Sequence, residues 1–213
     1  MKTNIDYWEN LLKNLPESYK IWFREEKKYL QKIITPDAKV LEVGCGNGRS
    51  IFDILSKTKN IVGIDHDDKV VTDAKNNFSK YSSIIKILKA DAIQLPFNNE
   101  EFDFVICMTT FANFADKKFR VIEEMKRVLK EFGKIIISVF SEDALDERMK
   151  VYKSSGVKIK EIKNGTVIFD DIIDDNVSEQ FTKEQLEDIF SRANLKTEDI
   201  TKVNIAYLCT LTK

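Results

Sequence analysis

The 213-residue chain has few of the residues that staple, break or switch a fold: three cysteines, three prolines and one histidine. Cys45, Cys107 and Cys209 lie far apart, and an odd count without close spacing excludes both a disulfide framework and a zinc site. The last two sit inside apolar runs and read as small buried hydrophobes kept reduced. No apolar run approaches the roughly 18 residues that a membrane span needs. Asp6 and Glu9 fall where a signal peptide would carry its apolar stretch, so a cytoplasmic protein with no membrane partner is expected. Neither sign of charge dominates: 34 basic and 35 acidic residues leave −1. That balance argues against a protein whose main task is gripping a polyanion, which needs a concentrated positive surface, though it leaves room for a local basic patch. The lysines at Lys27-Lys28 and Lys117-Lys118, with Arg120, read as solvated helix faces.

What the chain does have is a patterned supply of apolar residues, 43 % of the total, beside 32 % charged. Tyr7, Trp8, Leu11, Leu12 and Leu15 recur at helical spacing, Pro16 interrupts, and Ile21, Trp22, Tyr29, Leu30, Ile33 and Ile34 resume it. Beyond Pro36 short apolar strands alternate with helices. Strands are expected at Lys39–Val43, Asn60–Ile64, Ile84–Lys89, Phe102–Met108 and Lys134–Phe140, and helices at Ser50–Lys57, Asp68–Phe78 and Asp116–Lys130. This alternation implies a parallel sheet with right-handed crossovers and helices on both faces. The final third changes character. A helix over Leu145–Tyr152 precedes a hairpin around Asn164-Gly165, and a helix opens at Thr182 with Gln185 as capping-box partner. Two strands, Leu195–Ile200 and Asn204–Leu211, end the pattern.

The most informative segment is Glu42-Val43-Gly44-Cys45-Gly46-Asn47-Gly48-Arg49. A buried strand runs into glycines and then directly into a helix start, whose free N–H groups suit a nucleoside ligand with an anionic group. A dinucleotide fingerprint would carry its third glycine three residues after the second. Arg49 occupies that place, and the third glycine comes early, at Gly48. Asp65, nineteen residues past Gly46, ends the second strand, where a carboxylate can accept from both ribose hydroxyls. Asp91, between Ala90 and Ala92, follows the third strand.

In that order and at those intervals, Val40 to Phe140 resembles the class I S-adenosylmethionine-dependent methyltransferases. The resemblance implies a Rossmann-like α/β fold, with a seven-stranded, mostly parallel sheet. It also implies one methyltransferase domain over 1–213: a helical cap at 1–36, a cofactor core at 37–140, a substrate-side hairpin insertion at 141–181, and a closing helix and strands at 182–213. Carried over by residue, it puts Glu42 near the methionine ammonium and lines the methionine and ribose with Gly44, Gly46 and Gly48. Asp65 would hold the ribose, with His66 at the adenine edge. Asp91 and Ala92 would meet the adenine, and Met108 would pack near the methionine. The cofactor expected is S-adenosylmethionine, leaving as S-adenosylhomocysteine, with no metal.

Methyl transfer from a sulfonium needs chiefly alignment and exclusion of water, so no universal catalytic residue is expected. The segment Cys107–Phe114 lacks the Asn/Asp-Pro-Pro-aromatic motif of amide and amino nitrogen methylases, and His66 sits on the cofactor side. A small-molecule acceptor methylated on nitrogen or oxygen is therefore expected, with a nucleic-acid or protein acceptor left open. Tyr7, Trp22, Phe111 and Asn113 are candidate acceptor contacts, and Asn113 and Tyr19 the candidate catalytic groups. The acidic run 170–175 points toward an amine as much as toward a solvated loop. Two alternatives stand beside this reading: a non-catalytic cofactor-binding module, and an aminopropyltransferase-like enzyme.

Overall fold

A computed structural model describes residues 15–170 and 177–213. Helix α1 (Glu17–Ile33) begins after Pro16, whose fixed φ suits a helix entrance. There follow β1 (Lys39–Val43), α2 (Arg49–Ile54), β2 (Asn60–Asp65), α3 (Asp68–Asn77), β3 (Ile85–Lys89), β4 (Phe102–Met108), α4 (Lys118–Val128) and β5 (Leu129–Phe140). Then come α5 (Leu145–Ser155), β6 (Ile159–Lys163), β7 (Thr166–Phe169), β8 (Val177–Ser178), α6 (Lys183–Arg192), β9 (Lys196–Val203) and β10 (Ala206–Thr212).

Seven strands form one sheet in the order β3-β2-β1-β4-β5-β10-β9. The pairs from β3 across to β5 are parallel, and β10 runs antiparallel to both its neighbours. Along β4 every residue from Phe104 to Met108 is buried, and alternate side chains enter two separate apolar clusters. That is the signature of a strand covered by helices on both faces. No helix among the described residues is long and apolar enough to cross a membrane.

A second sheet, β6-β7-β8, is inserted between β5 and α6. Its hairpin turns at Asn164 (φ 49°) and Gly165 (φ 79°), two successive left-handed residues of the kind an Asn-Gly turn supplies. The third strand, β8, is only two residues long, too short to leave a periodic signal. Strand β5 starts at Leu129 rather than Lys134, because Leu129 already pairs with Phe102 before the register shifts at Phe104. Thr182 caps α6 as the pattern predicts: its Oγ1 accepts the Gln185 N–H at 3.2 Å, and the Gln185 side chain accepts the Thr182 N–H at 2.8 Å. Thr182→Ala should cost about 1 kcal/mol, read from the shift in denaturant midpoint.

Candidate functional site

All three glycines of the loop after β1 have positive φ, from 54° to 91°. The loop is pinned at both sides. The Cys45 N–H donates to the Ile64 carbonyl at 2.8 Å, and the Thr110 hydroxyl donates to the Gly44 carbonyl at 2.9 Å. Parallel pairing of β1 with β2 brings Asp65 beside this turn. Its Oδ2 accepts the Gly46 N–H at 3.0 Å and its Oδ1 the Asp67 N–H at 3.2 Å. Those two bonds orient the carboxylate and leave acceptor capacity for a ligand. His66 Nδ1 lies 3.5 Å from Oδ1. After β3, Asp91 Oδ1 accepts the Ile93 N–H at 3.0 Å, a local turn that fixes the side chain at the rim.

Glu42, on β1, is buried, and the Ser50 hydroxyl donates to its Oε1. Its Oε2 is buried without a hydrogen-bond partner among the described residues. Loss of hydration pushes its pKa up to about 8, against the lowering pull of Ser50 and Arg49. Arg49 reaches α1 instead, pairing with the buried Glu26 at 2.5 Å and stacking 3.9 Å over the Phe23 ring. This Arg49–Glu26 pair is invisible in the glycine motif. A signal for it exists in α1, where Glu26 interrupts the buried stripe Tyr19, Trp22, Leu30.

These groups open on one cavity of about 250 Å³. Following the strand order, its lining runs from Asp91 and Ala92 after β3 and Asp65 and His66 at the end of β2, through Glu42, Gly44 and Gly46 at β1, to Met108, Thr109, Thr110 and Asn113 at the end of β4. Thr109 holds φ 67°, a strained value for a β-branched residue, at the point where β4 turns into the wall. Seven aromatic rings also line the cavity: Tyr19, Trp22 and Phe23 of α1, the last under Arg49 beside the glycine loop, with Phe114, Phe140, Tyr152 and Phe169. Trp22 is fixed by donating from Nε1 to Ser138 Oγ at 2.7 Å, and its ring lies 4.9 Å from that of Phe140. Burial, with Tyr152 nearby, holds the Tyr19 hydroxyl far above the ordinary phenol range. In that state the hydroxyl is a hydrogen-bond donor.

Two expected contacts do not reach the cavity. Phe111 is wholly buried, packed against Phe114 and Phe181, and the neighbouring Phe114 takes the wall position instead. Gly48 caps α2 with its α-carbon against the Phe78 ring and so shapes the loop from behind. Tyr7 and most of the acidic run 170–175 lie outside the described residues. Phe140, Tyr152, Phe169 and Ser178 line the cavity from elements far apart in sequence, and no motif announces them. Among the described residues no group of three metal-ligating side chains is found.

The model of a methyltransferase domain family matches residues 34–194. The chain is 32 % identical over 166 residues to an uncharacterized protein of Methanocaldococcus jannaschii, covering 75 % of this chain and 74 % of that one. It spans about half the length of other curated relatives it matches, 54 % and 50 % in two cases. The crystal structure of the PH0226 protein from Pyrococcus horikoshii superposes with a TM-score of 0.70 at 23 % identity, over 99 % of this chain and 93 % of that one. A 1,6-didemethyltoxoflavin-N1-methyltransferase of Burkholderia thailandensis, solved with 1,6-didemethyltoxoflavin and S-adenosylhomocysteine bound, superposes with a TM-score of 0.69 at 16 % identity, over 90 % of this chain and 77 % of that one. With the sheet order, the glycine loop and the matched domain together, the chain belongs to the S-adenosylmethionine-dependent methyltransferases of the class I fold.

Proposed function

We propose that the chain methylates a small, planar acceptor held against the aromatic rings of the cavity, by alignment rather than by a general base. The observation that carries this reading is continuity: one cavity is lined both by the glycine loop and by seven aromatic rings. Two features support the cofactor's fit at the loop. A Cβ built on Gly46 meets nothing within 4 Å, so the backbone is open to close approach there. Glu42 Oε2 is an orphaned buried acceptor, suited to an ammonium.

On this reading Glu42 takes the ammonium and the backbone at Gly44 and Gly46 flanks the amino-acid portion. Asp65 holds the ribose, Asp91 and Ala92 the adenine, with His66 at the ring edge and Met108 beside the methionine portion. The bound sulfonium supplies an electrophilic methyl carbon and a neutral thioether as leaving group. The chain's own contribution is orientation: Trp22 and Phe140 fix the plane of the acceptor, Asn113 and the Tyr19 hydroxyl offer hydrogen bonds at its edge, and the apolar walls exclude water. Segment 141–181 acts as the acceptor-side part of the molecule, since Tyr152, Phe169 and Ser178 all come from it.

Asp65→Ala should weaken binding of S-adenosylhomocysteine by roughly 1–3 kcal/mol in a calorimetric titration, as expected when a charge-assisted hydrogen bond is removed. Unchanged affinity would remove the ribose assignment. With labelled S-adenosylmethionine and extracts split into metabolite, RNA and protein pools, label should pass to the metabolite pool. Label confined to RNA or protein would overturn the small-acceptor reading, and no cofactor binding at all would favour a binding scaffold that has lost its ligand.

A further inference from the structure

We infer that the acceptor is a small planar compound with an acidic hydroxyl, bound as its anion in the chamber backed by the Arg148 guanidinium. The inference rests on the small-acceptor reading above and adds a charge to it. Arg148 projects from α5 and is completely buried. It stands directly behind the chamber wall, its Cζ 4.8 Å from the ring centre of Phe140 and 5.8 Å from that of Tyr152.

All of its hydrogen-bond partners are neutral. Nη1 donates to the Gly165 carbonyl and to Gln180 Oε1, both at 2.9 Å, and Nη2 donates to the Ser178 carbonyl. Nε lies 3.5 Å from the Tyr152 hydroxyl. Among the described residues no carboxylate pairs with this charge. Of the acids in the surrounding segment, Glu147 pairs with Lys150 and accepts from Ser18, Glu142 pairs with Lys202, and Glu179 pairs with Lys118.

A buried cation without a counterion is costly, and apolar walls screen its field poorly. An anion across the wall lowers that cost; a second cation raises it. The ring faces of Phe140 and Tyr152 already carry the guanidinium, which weakens them as a cage for an amine. Lys117 adds positive charge to the cavity lining, whereas Glu42, Asp65 and Asp91 line its cofactor portion.

The chemistry follows from the charge. The hydroxyl proton leaves to solvent as the acceptor binds, so no base in the chamber is required. The anionic oxygen then forms its bond to the methyl carbon while the carbon–sulfur bond breaks, and that electron pair stays on sulfur. A neutral methyl ether or enol ether results, which the positive wall no longer holds.

The test uses 4-nitrophenol, whose ionised form absorbs at longer wavelength than its neutral form, with the full chain saturated with S-adenosylhomocysteine. The apparent pKa of the bound probe should fall by about one unit, a tenfold gain in ionisation. Nitrobenzene should bind more weakly than 4-nitrophenol, and benzylamine more weakly still. Arg148→Met should abolish the shift and Arg148→Lys should keep most of it. Because the Met variant also leaves three oxygens without a donor, the affinity order in the unaltered protein is an independent measure. A bound nitrophenol with unshifted or raised pKa, or benzylamine as the tightest probe, overturns the anionic acceptor while leaving a small planar one in place. Binding of none of the three overturns both.

Discussion

Replacing Glu42 by Gln should make the ligand-free protein more stable above pH 8 and at the same time weaken its hold on the cofactor. The carboxyl titrates near 4.5 when hydrated and near 8 in the fold, because burial disfavours the charged form. Between those values the folded protein keeps a proton that the unfolded chain has lost. Stability therefore falls as pH rises from about 4.5, and the loss is complete above about 8, where both states are ionised. Gln carries no such penalty. The difference in unfolding free energy between variant and parent should be smallest near pH 5 and grow to roughly 1–4 kcal/mol at pH 9. Denaturant titrations across that range measure it, and parallel curves for the two proteins would sink the assignment of a protonated Glu42. For the cofactor the sign reverses. An ammonium needs the ionised form, so binding near pH 7 should release a proton, detectable as a dependence of the calorimetric heat on buffer identity. In Glu42→Gln that release should vanish, and affinity should drop by about 2 kcal/mol, roughly 30-fold.

The same residue shows what a sequence can and cannot display. Glu42 was marked by its place before the glycines, and the sheet that carries it could be read from strands so apolar that only burial on both faces explains them. Asp65 and Asp91 were marked in the same way, because a parallel sheet delivers the ends of successive strands to one edge. Local chemistry likewise announced the Thr182 capping box and the Asn164-Gly165 turn. The acceptor chamber was far less legible. Its rings come from α1, the turn after β4, the end of β5, α5 and β7, and each lies in an apolar stretch that a core would explain equally well. Phe111 and Phe114 illustrate the difficulty: one inside a short 3-10 turn and the other capping its end, they differ in which one faces the cavity. Sequence spacing offers no way to choose, since a single turn has no period long enough to define a face. Arg148 was hidden for another reason. A buried arginine bonded to backbone carbonyls, with no ion-pair partner among the described residues, leaves no charge pattern in the sequence to betray it.

The glycines of the loop make two different demands, and substitution should separate them. At Gly48 the backbone holds φ 91°, and an added Cβ would sit 2.1 Å from the Phe78 ring. Phe78 has little room to retreat, being 2 % exposed and stacked 4.4 Å from Phe52. Gly48→Ala should therefore destabilise the fold by about 2–4 kcal/mol, strain and overpacking together, whether or not cofactor is present. At Gly46 the φ of 54° lies in the ordinary left-handed region, and no atom stands within 4 Å of the added methyl group. Gly46→Ala should cost the empty protein only about 1 kcal/mol, since a single left-handed residue is the whole strain. Its N–H still points at Asp65, so the loop keeps its tie to β2. On the proposed reading the new methyl group takes space the cofactor needs, and affinity for S-adenosylhomocysteine should fall at least about tenfold, or 1.4 kcal/mol. Unfolding midpoints and calorimetric titrations on the two variants give the four values required. If Gly46→Ala binds as tightly as the parent, the cofactor does not approach this loop, and Glu42 and Asp65 lose their proposed ligand together.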